Sequence, residues 1–154
     1  MNTIEETFQQ AYDQAIRWLT RRAYGAWELR QRLLQVGMAA PLVEQVCDRC
    51  RELGYLDDAA FALSRARYRL YHGRYGPRRV WAELRALRIA EEQIQHALDL
   101  LLAERDVVSL AEAALVKRFG DGERDANDRR MLQRQYDFLS RRGFNDEAIW
   151  QVLE

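Results

Sequence analysis

Apolar residues recur at helical spacing almost everywhere along the chain, and no stretch alternates as a strand would. Phe8, Ala11, Tyr12, Ala15 and Leu19 share one face, and Leu29, Leu33 and Val36 make a shorter stripe that Gly37 ends as a left-handed cap. Pro41 suits a first helical turn, after which Val43, Val46, Cys47, Cys50 and Leu53 line a third helix stopped by Gly54. Asp57 or Asp58 is placed to cap the next helix, whose inner face is Ala59, Ala62, Leu63, Ala66 and Leu70. Gly73 and Gly76-Pro77 punctuate. Val80, Leu84 and Leu87 predict a fifth helix, and Ile94, Ala97, Leu98 and Leu101 a sixth. A seventh covers about 107–119, and the polar run 120–127 reads as a loop. Met131, Leu132, Phe138 and Leu139 predict an eighth helix ending at Gly143, and Asn145 caps a ninth that buries Ile149, Val152 and Leu153.

Nine helices group in threes, and the groups align. Leu33-x3-Gly37-Met38-x4-Val43-x2-Val46 matches Leu84-x3-Arg88-Ile89-x4-Ile94-x2-Ala97 and Leu139-x3-Gly143-Phe144-x4-Ile149-x2-Val152. Tyr24-Gly25 returns as Tyr75-Gly76. The expected fold is all-α: three tandem three-helix repeats, about 5–55, 57–104 and 106–154, in an elongated array. Such a shape suits binding along another polymer better than enclosing a small substrate.

Composition agrees with this. Only 8 Gly and 2 Pro occur in 154 residues, and 48% hydrophobic with 31% charged residues fits a helical globular chain. No apolar run is long enough to span a bilayer, the first residues do not read as a signal peptide, and two cysteines fit a reducing cytoplasm. The 24 basic and 24 acidic residues cancel, which argues against a globally basic nucleic-acid binder. All but one of the basic residues are Arg, the exception being Lys117. Codon usage accounts for such a bias, so Arg abundance alone is no sign of phosphate recognition.

Charge is nevertheless segregated. From Arg65 to Arg88 there are eight Arg and one acid, Glu83, interleaved with Tyr68, Tyr71, Tyr75 and Trp81. Arg65, Tyr68, Arg69 and His72 fall on one helical stripe, and Arg78, Trp81, Arg85 and Arg88 on a second; Arg74 and Arg79 are further candidates for contact in the same segment. Segment 89–128 carries ten acids against four basic residues. The stripes read either as a solvated face paired with carboxylates of neighbouring repeats or as a partner-binding surface, for which Arg with aromatic residues is the usual hot-spot chemistry.

Candidate catalytic chemistry is thin. Cys47 and Cys50 sit at i and i+3 on an apolar helix face, which reads as core, and a zinc site would lack further ligands nearby. Adjacent Asp57 and Asp58 read as helix-start residues, not as a carboxylate pair. Gly120-x-Gly122 lacks the Gly-Lys-Ser/Thr of a phosphate loop, and His96 reads as an exposed histidine. The expectation is no enzyme, no cofactor, no metal and no small-molecule substrate.

The middle of the chain resembles a known family. Leu53-Gly54-Tyr55-Leu56-Asp57-Asp58-x2-Phe61-Ala62, then Arg67, Tyr75-Gly76-Pro77-x2-Val80-x2-Glu83-Leu84, Ile89 and Ile94 look like the central signature of the RecX family. Glu28-Leu29-Arg30-x2-Leu33 and Phe138-Leu139-x-Arg141-Arg142-Gly143-Phe144 extend the resemblance over about 11–154. It implies a helical protein of three tandem repeats without a catalytic site. Such proteins bind the RecA recombinase in the groove of its filament on single-stranded DNA. They inhibit its ATPase, strand-exchange and coprotease activities, by blocking filament extension or promoting disassembly. Gly54, Tyr55, Leu56, Asp57, Asp58, Phe61, Gly76, Pro77, Glu83 and Leu84 match the motif and read mainly as fold-making, with Tyr55 and Phe61 expected to staple adjacent repeats. Contact with the partner is expected from the Arg stripes. The alternative is a direct DNA-binding helical protein, and the isolated chain is expected to bind DNA weakly. One departure is Arg88 where the family often has Gly, which predicts a less sharply turned end to the fifth helix.

Overall fold

The computed structural model describes residues 3–122, 124, 125 and 127–154, with side chains from residue 5; Glu123 and Ala126 of the polar loop lie outside the described residues. Among these residues there are nine α-helices, one π-helical turn and no strand. The first unit holds α1 (Thr3–Arg21), α2 (Ala26–Gln35) and α3 (Ala40–Glu52). The second holds α4 (Asp58–Arg67), the π-turn (Tyr68–His72), α5 (Pro77–Ala86) and α6 (Glu91–Glu104). The third holds α7 (Val107–Phe119), α8 (Arg129–Arg142) and α9 (Asp146–Leu153).

The second helix of every unit ends in one motif. Gly37, Arg88 and Gly143 all take left-handed backbone, at φ 94, 60 and 103. Each N–H reaches back three residues, and the next N–H reaches back five: Met38 to Leu33 O, Ile89 to Leu84 O, Phe144 to Leu139 O. Arg88 therefore turns as sharply as the glycines, which corrects the expected loosening. The hydrogen bonds and the burial of Ile89 hold an Arg where the backbone favours Gly.

The units join at these same caps. Gly76, buried at the start of α5, donates its N–H to Arg142 O at 2.7 Å, and Arg78 N–H donates to Gly143 O at 3.0 Å. At the equivalent first joint, Gly25 faces Ile89, and Ala26 N–H donates to Asp58 Oδ1 at 2.8 Å. Asp57 caps its own helix by accepting from Ala60 N–H, while Asp58 caps α2 of the preceding unit. The third unit departs from this scheme: Asp128 stands where the others have Gly and caps α8 itself, accepting from Met131 N–H.

The apolar residues form two clusters. One belongs to the first unit and includes Ala11, Ala15, Trp18, Leu29, Leu33, Val43, Val46 and the linker residue Leu56. The other runs through the second and third units, from Phe61 to Leu153. Some assignments shift at element ends. Val36, at the α2 cap, is 57% exposed, and Ala59 in the first turn of α4 is exposed, with Phe61 taking the inner position. Trp18 and Gln135 are buried without having been expected there.

Candidate partner-binding surface

The middle unit presents the Arg-rich surface, and the structure sorts its members by what holds them. Glu83 of α5 accepts from Arg65 Nη1 at 2.7 Å and from Arg69 Nε at 2.9 Å, so one carboxylate clamps α4 and the π-turn to α5. Burial pushes the Glu83 carboxyl up, but the hydrogen bonds from Arg69 and Arg65 more than reverse this and leave it below the ordinary value. Arg69 is raised in turn by its bond to Glu83. Arg85 pairs with Glu91 across the cap of α5 at 3.0 Å. For Arg65, Arg69 and Arg85 the solvated, internally paired reading thus describes the geometry.

The remaining residues are placed differently. The π-turn, closed by Gly73 N–H to Tyr68 O, inserts an extra residue per turn, which the helical pattern alone did not anticipate. It buries Leu70, sends Tyr71 Oη to Leu101 O at 2.6 Å, and leaves Tyr68 58% exposed with its ring tilted against His72, 5.7 Å between centroids. Trp81 is half-buried against the shared core. Arg88 lies over the Trp27 ring, a contact between the first two units. Arg79 lies 4.5 Å from the Tyr75 ring centroid and, with Arg69, Tyr75 and Glu83, lines a hollow of about 410 Å³. Arg78 is exposed and makes no ion pair among the described residues.

The structure also gathers cations that the linear charge count hid. Lys117 and Arg118 sit in the stretch with an acidic balance, yet they stand across a cleft from Arg74 and Arg142. Arg142 donates to the carbonyls of Gly73 and Arg74 and stacks on Tyr75 at 3.8 Å, which fixes this cleft at the second joint. The family close Arg141-Arg142-Gly143 was the signal in the sequence that pointed there.

Other motif residues fall into place as structure. Gly54 has φ 82 and turns the chain after α3, Leu56 closes the first core, and Phe61, Leu84, Gly76 and Pro77 build the joints. Phe61 packs beside Gly25 as the expected staple, whereas Tyr55 is 52% exposed, so the linker is anchored by Leu56 and by N–H bonds from Tyr55 and Leu56 to Cys50 O. Cys47 and Cys50 are fully buried free thiols, and burial pushes Cys47 up to about 11. Among the described residues no group of His, Cys, Asp and Glu is placed to hold a metal ion, and no helix is long and apolar enough to cross a membrane.

A stack of three-helix units, joined at their helix caps and with an Arg-rich surface on the middle one, defines a helical repeat protein. Family models match its units in order: "RecX, first three-helix domain" at residues 11–50, "RecX, second three-helix domain" at 57–98 and "RecX, third three-helix domain" at 104–153. The chain belongs to the RecX family. It is 33% identical over 143 residues to "Regulatory protein RecX" of Syntrophotalea carbinolica, covering 93% of this chain and 94% of that one. The protein of the same name from Vibrio vulnificus is 34% identical, covering 92% and 89%. The crystal structure of RecX from Lactobacillus salivarius shares the fold at TM-score 0.78 and 16% identity, covering 97% of this chain and 96% of that one. Another crystal structure of regulatory protein RecX has TM-score 0.77 and 22% identity, covering 94% of this chain and 70% of that one.

Proposed function

We propose that this regulatory protein binds the RecA recombinase and its filament on single-stranded DNA in the cytoplasm, and inhibits the filament's ATPase, strand-exchange and coprotease activities without catalysis of its own. The observation that carries this reading is the ordered match of all three units to RecX domains on a chain that its regulatory relatives cover nearly end to end. A serial array supports it physically. Units joined in a row touch several subunits of a helical polymer at once, and linked weak contacts gain avidity without one strong site. Tyr68, His72 and Arg78 of the stripes, with Arg79 beside Arg78, are exposed and outside the ion pairs that hold Arg65, Arg69 and Arg85, and they are the contacts assigned to the partner.

The test is a titration of RecA's DNA-dependent ATPase. The wild type should inhibit at substoichiometric to stoichiometric ratio. Arg78→Glu with Arg79→Glu should raise the concentration for half-inhibition about tenfold or more, because repulsion replaces attraction toward an acidic partner. Full ATPase activity at saturating protein would sink the reading.

A further inference from the structure

The end of α2 presents a face that the two later units bury. Gly37-Met38, Arg88-Ile89 and Gly143-Phe144 are one helix-end motif three times over. Two of the three are covered by a helix start from the preceding unit. Ile89 packs against Gly25 at the start of α2, and the end of α8 accepts the N–H groups of Gly76 and Arg78 at the start of α5. Among the described residues no helix start covers the end of α2. Ile89 and Phe144 are accordingly buried, whereas Met38 is half-buried and Val36 beside it is exposed. A Cβ on Gly143 would run into Arg79 at 2.6 Å, but one on Gly37 meets nothing within 4 Å. A hollow of about 420 Å³ opens between this helix end and α1, with Ala11, Trp18, Val36, Met38 and Leu42 in its lining and no carboxylate.

The outer faces of a stacked array are ordinarily polar, because nothing covers them. The third unit obeys this, with Asp128, Arg129 and Arg130 exposed at the start of α8. The end of α2 does not: it keeps the apolar surface of a joint. Its backbone keeps the acceptors too. Val36 O and Gly37 O are the counterparts of Arg142 O and Gly143 O, and neither receives a hydrogen bond among the described residues.

We infer that the end of α2 is a docking face for the first turn of a helix on a recombinase subunit lying beyond the end of the array. The inference rests on the proposed function, in which the partner is a polymer and a further subunit is at hand. The second joint supplies the chemistry of the occupant. A helix start brings free N–H groups and partial positive charge to a helix end with free carbonyls and partial negative charge. An apolar side chain beside that start fills the hollow. A second copy of this chain is a poor occupant. Its α2 and α5 starts are engaged at its own joints. Its α8 begins a turn earlier, so that eight residues before Leu139, where Gly25 and Gly76 stand before Leu33 and Leu84, the chain has Met131. In the second joint even a Cβ at that place would stand 2.5 Å from Gly143 O.

The experiment gives the face a reporter thiol. Cys47 and Cys50 are buried, so Val36→Cys supplies the reactive group, with Leu100→Cys on exposed α6 as control. Maleimide labelling is followed by the mass of this chain, alone and with RecA filament on single-stranded DNA. At a filament concentration that occupies nine-tenths of the protein, labelling at position 36 should slow about tenfold and at position 100 stay unchanged. Val36→Arg should raise the concentration for half-inhibition of the ATPase about fivefold or more at the melting temperature of wild type, and Val36→Ile should inhibit as wild type does. Labelling at 36 unaffected by filament, equal slowing at 100, or full potency of Val36→Arg would each overturn the inference. Labelling at 36 that slows with the concentration of this protein alone would assign the face to a second copy and overturn it as well. Any of these beside full inhibition by wild type leaves the proposed function standing; a wild type that does not inhibit removes both.

Discussion

Replacing Gly76 by Ala asks the second joint to accept one methyl group. Gly76 has φ −90 and ψ 168, which any residue adopts, so the substitution carries no backbone strain and its cost is steric. A Cβ there would stand 2.5 Å from Gly143 O and 2.6 Å from Phe144 N, main-chain atoms that cannot swing aside. Relief requires α5 and the α8 cap to part, which stretches the bonds from Gly76 N–H to Arg142 O and from Arg78 N–H to Gly143 O. Overpacking costs about 2 kcal/mol and each lost hydrogen bond about 1 kcal/mol, so the expected loss is about 4 kcal/mol. For a chain of this length that is a fall of about 8–16 °C in melting midpoint. Gly25, its counterpart at the first joint, is the internal control. Its Cβ would meet side-chain atoms, the end of Ile89 at 3.2 Å, Asp58 Oδ1 at 3.6 Å and the Phe61 ring at an ordinary 3.8 Å, and a side-chain tip moves cheaply. Gly25→Ala should cost under about 1 kcal/mol. Calorimetry or circular dichroism melts of the two variants decide it. Equal effects, or a Gly76→Ala variant within about 1 kcal/mol of wild type, would refute the claim that a backbone-to-backbone seam holds the second joint.

Asp58→Ala should cost about 1 kcal/mol and speed exchange of the Ala26 amide hydrogen, while Asp58→Asn, which keeps an acceptor, should recover most of it. For Glu83, whose carboxyl is held below its ordinary value in the fold, the contribution is present above the ordinary carboxylate range and lost as pH falls through the lowered one. Glu83→Gln should therefore lose about 1–2 kcal/mol near neutrality, with the gap to wild type closing below about pH 4 in urea melts. With Cys47 pushed up to about 11, labelling by a thiol reagent at about pH 8 should be slow in the native protein and fast in denaturant; rapid native labelling would contradict its burial.

Helical periodicity carried most of the fold because each unit is amphipathic by itself. Val43, Val46, Cys47 and Cys50 fall at α spacing and are all fully buried. Spacing fails where backbone geometry changes or a partner lies far away in sequence. The π-turn alters the register after Tyr68, so a stripe drawn at α spacing through Arg69 and His72 combines an internal clamp residue with an outward one. Asp58 looks like part of a local cap, but its acceptor duty belongs to Ala26, 32 residues earlier. Arg88 holds a glycine-like conformation that its own residue type argues against, because Ile89 behind it is locked into the core. The basic cleft escaped the charge count because Lys117 and Arg118 were averaged with acids that do not line it, and because Arg142 comes from a different helix and Arg74 from a different unit.

The helix starts have a consequence for the order in which the chain completes itself. The first turn of α2 waits for Asp58, and the first turn of α5 waits for Arg142 and Gly143, while α8 brings its own Asp128. Dependence thus runs from the later unit back to the earlier one, against the direction in which a ribosome delivers the chain. The first unit leaves the exit tunnel with a complete apolar cluster and an unfinished helix end. The third, made last, is the one that needs nothing from a neighbour to begin its second helix. A fragment ending at Leu56 should therefore keep the first cluster yet show α2 frayed at Ala26 by hydrogen exchange, with protection appearing once Asp58 is included. Vectorial synthesis, on this arrangement, stitches the array closed from behind.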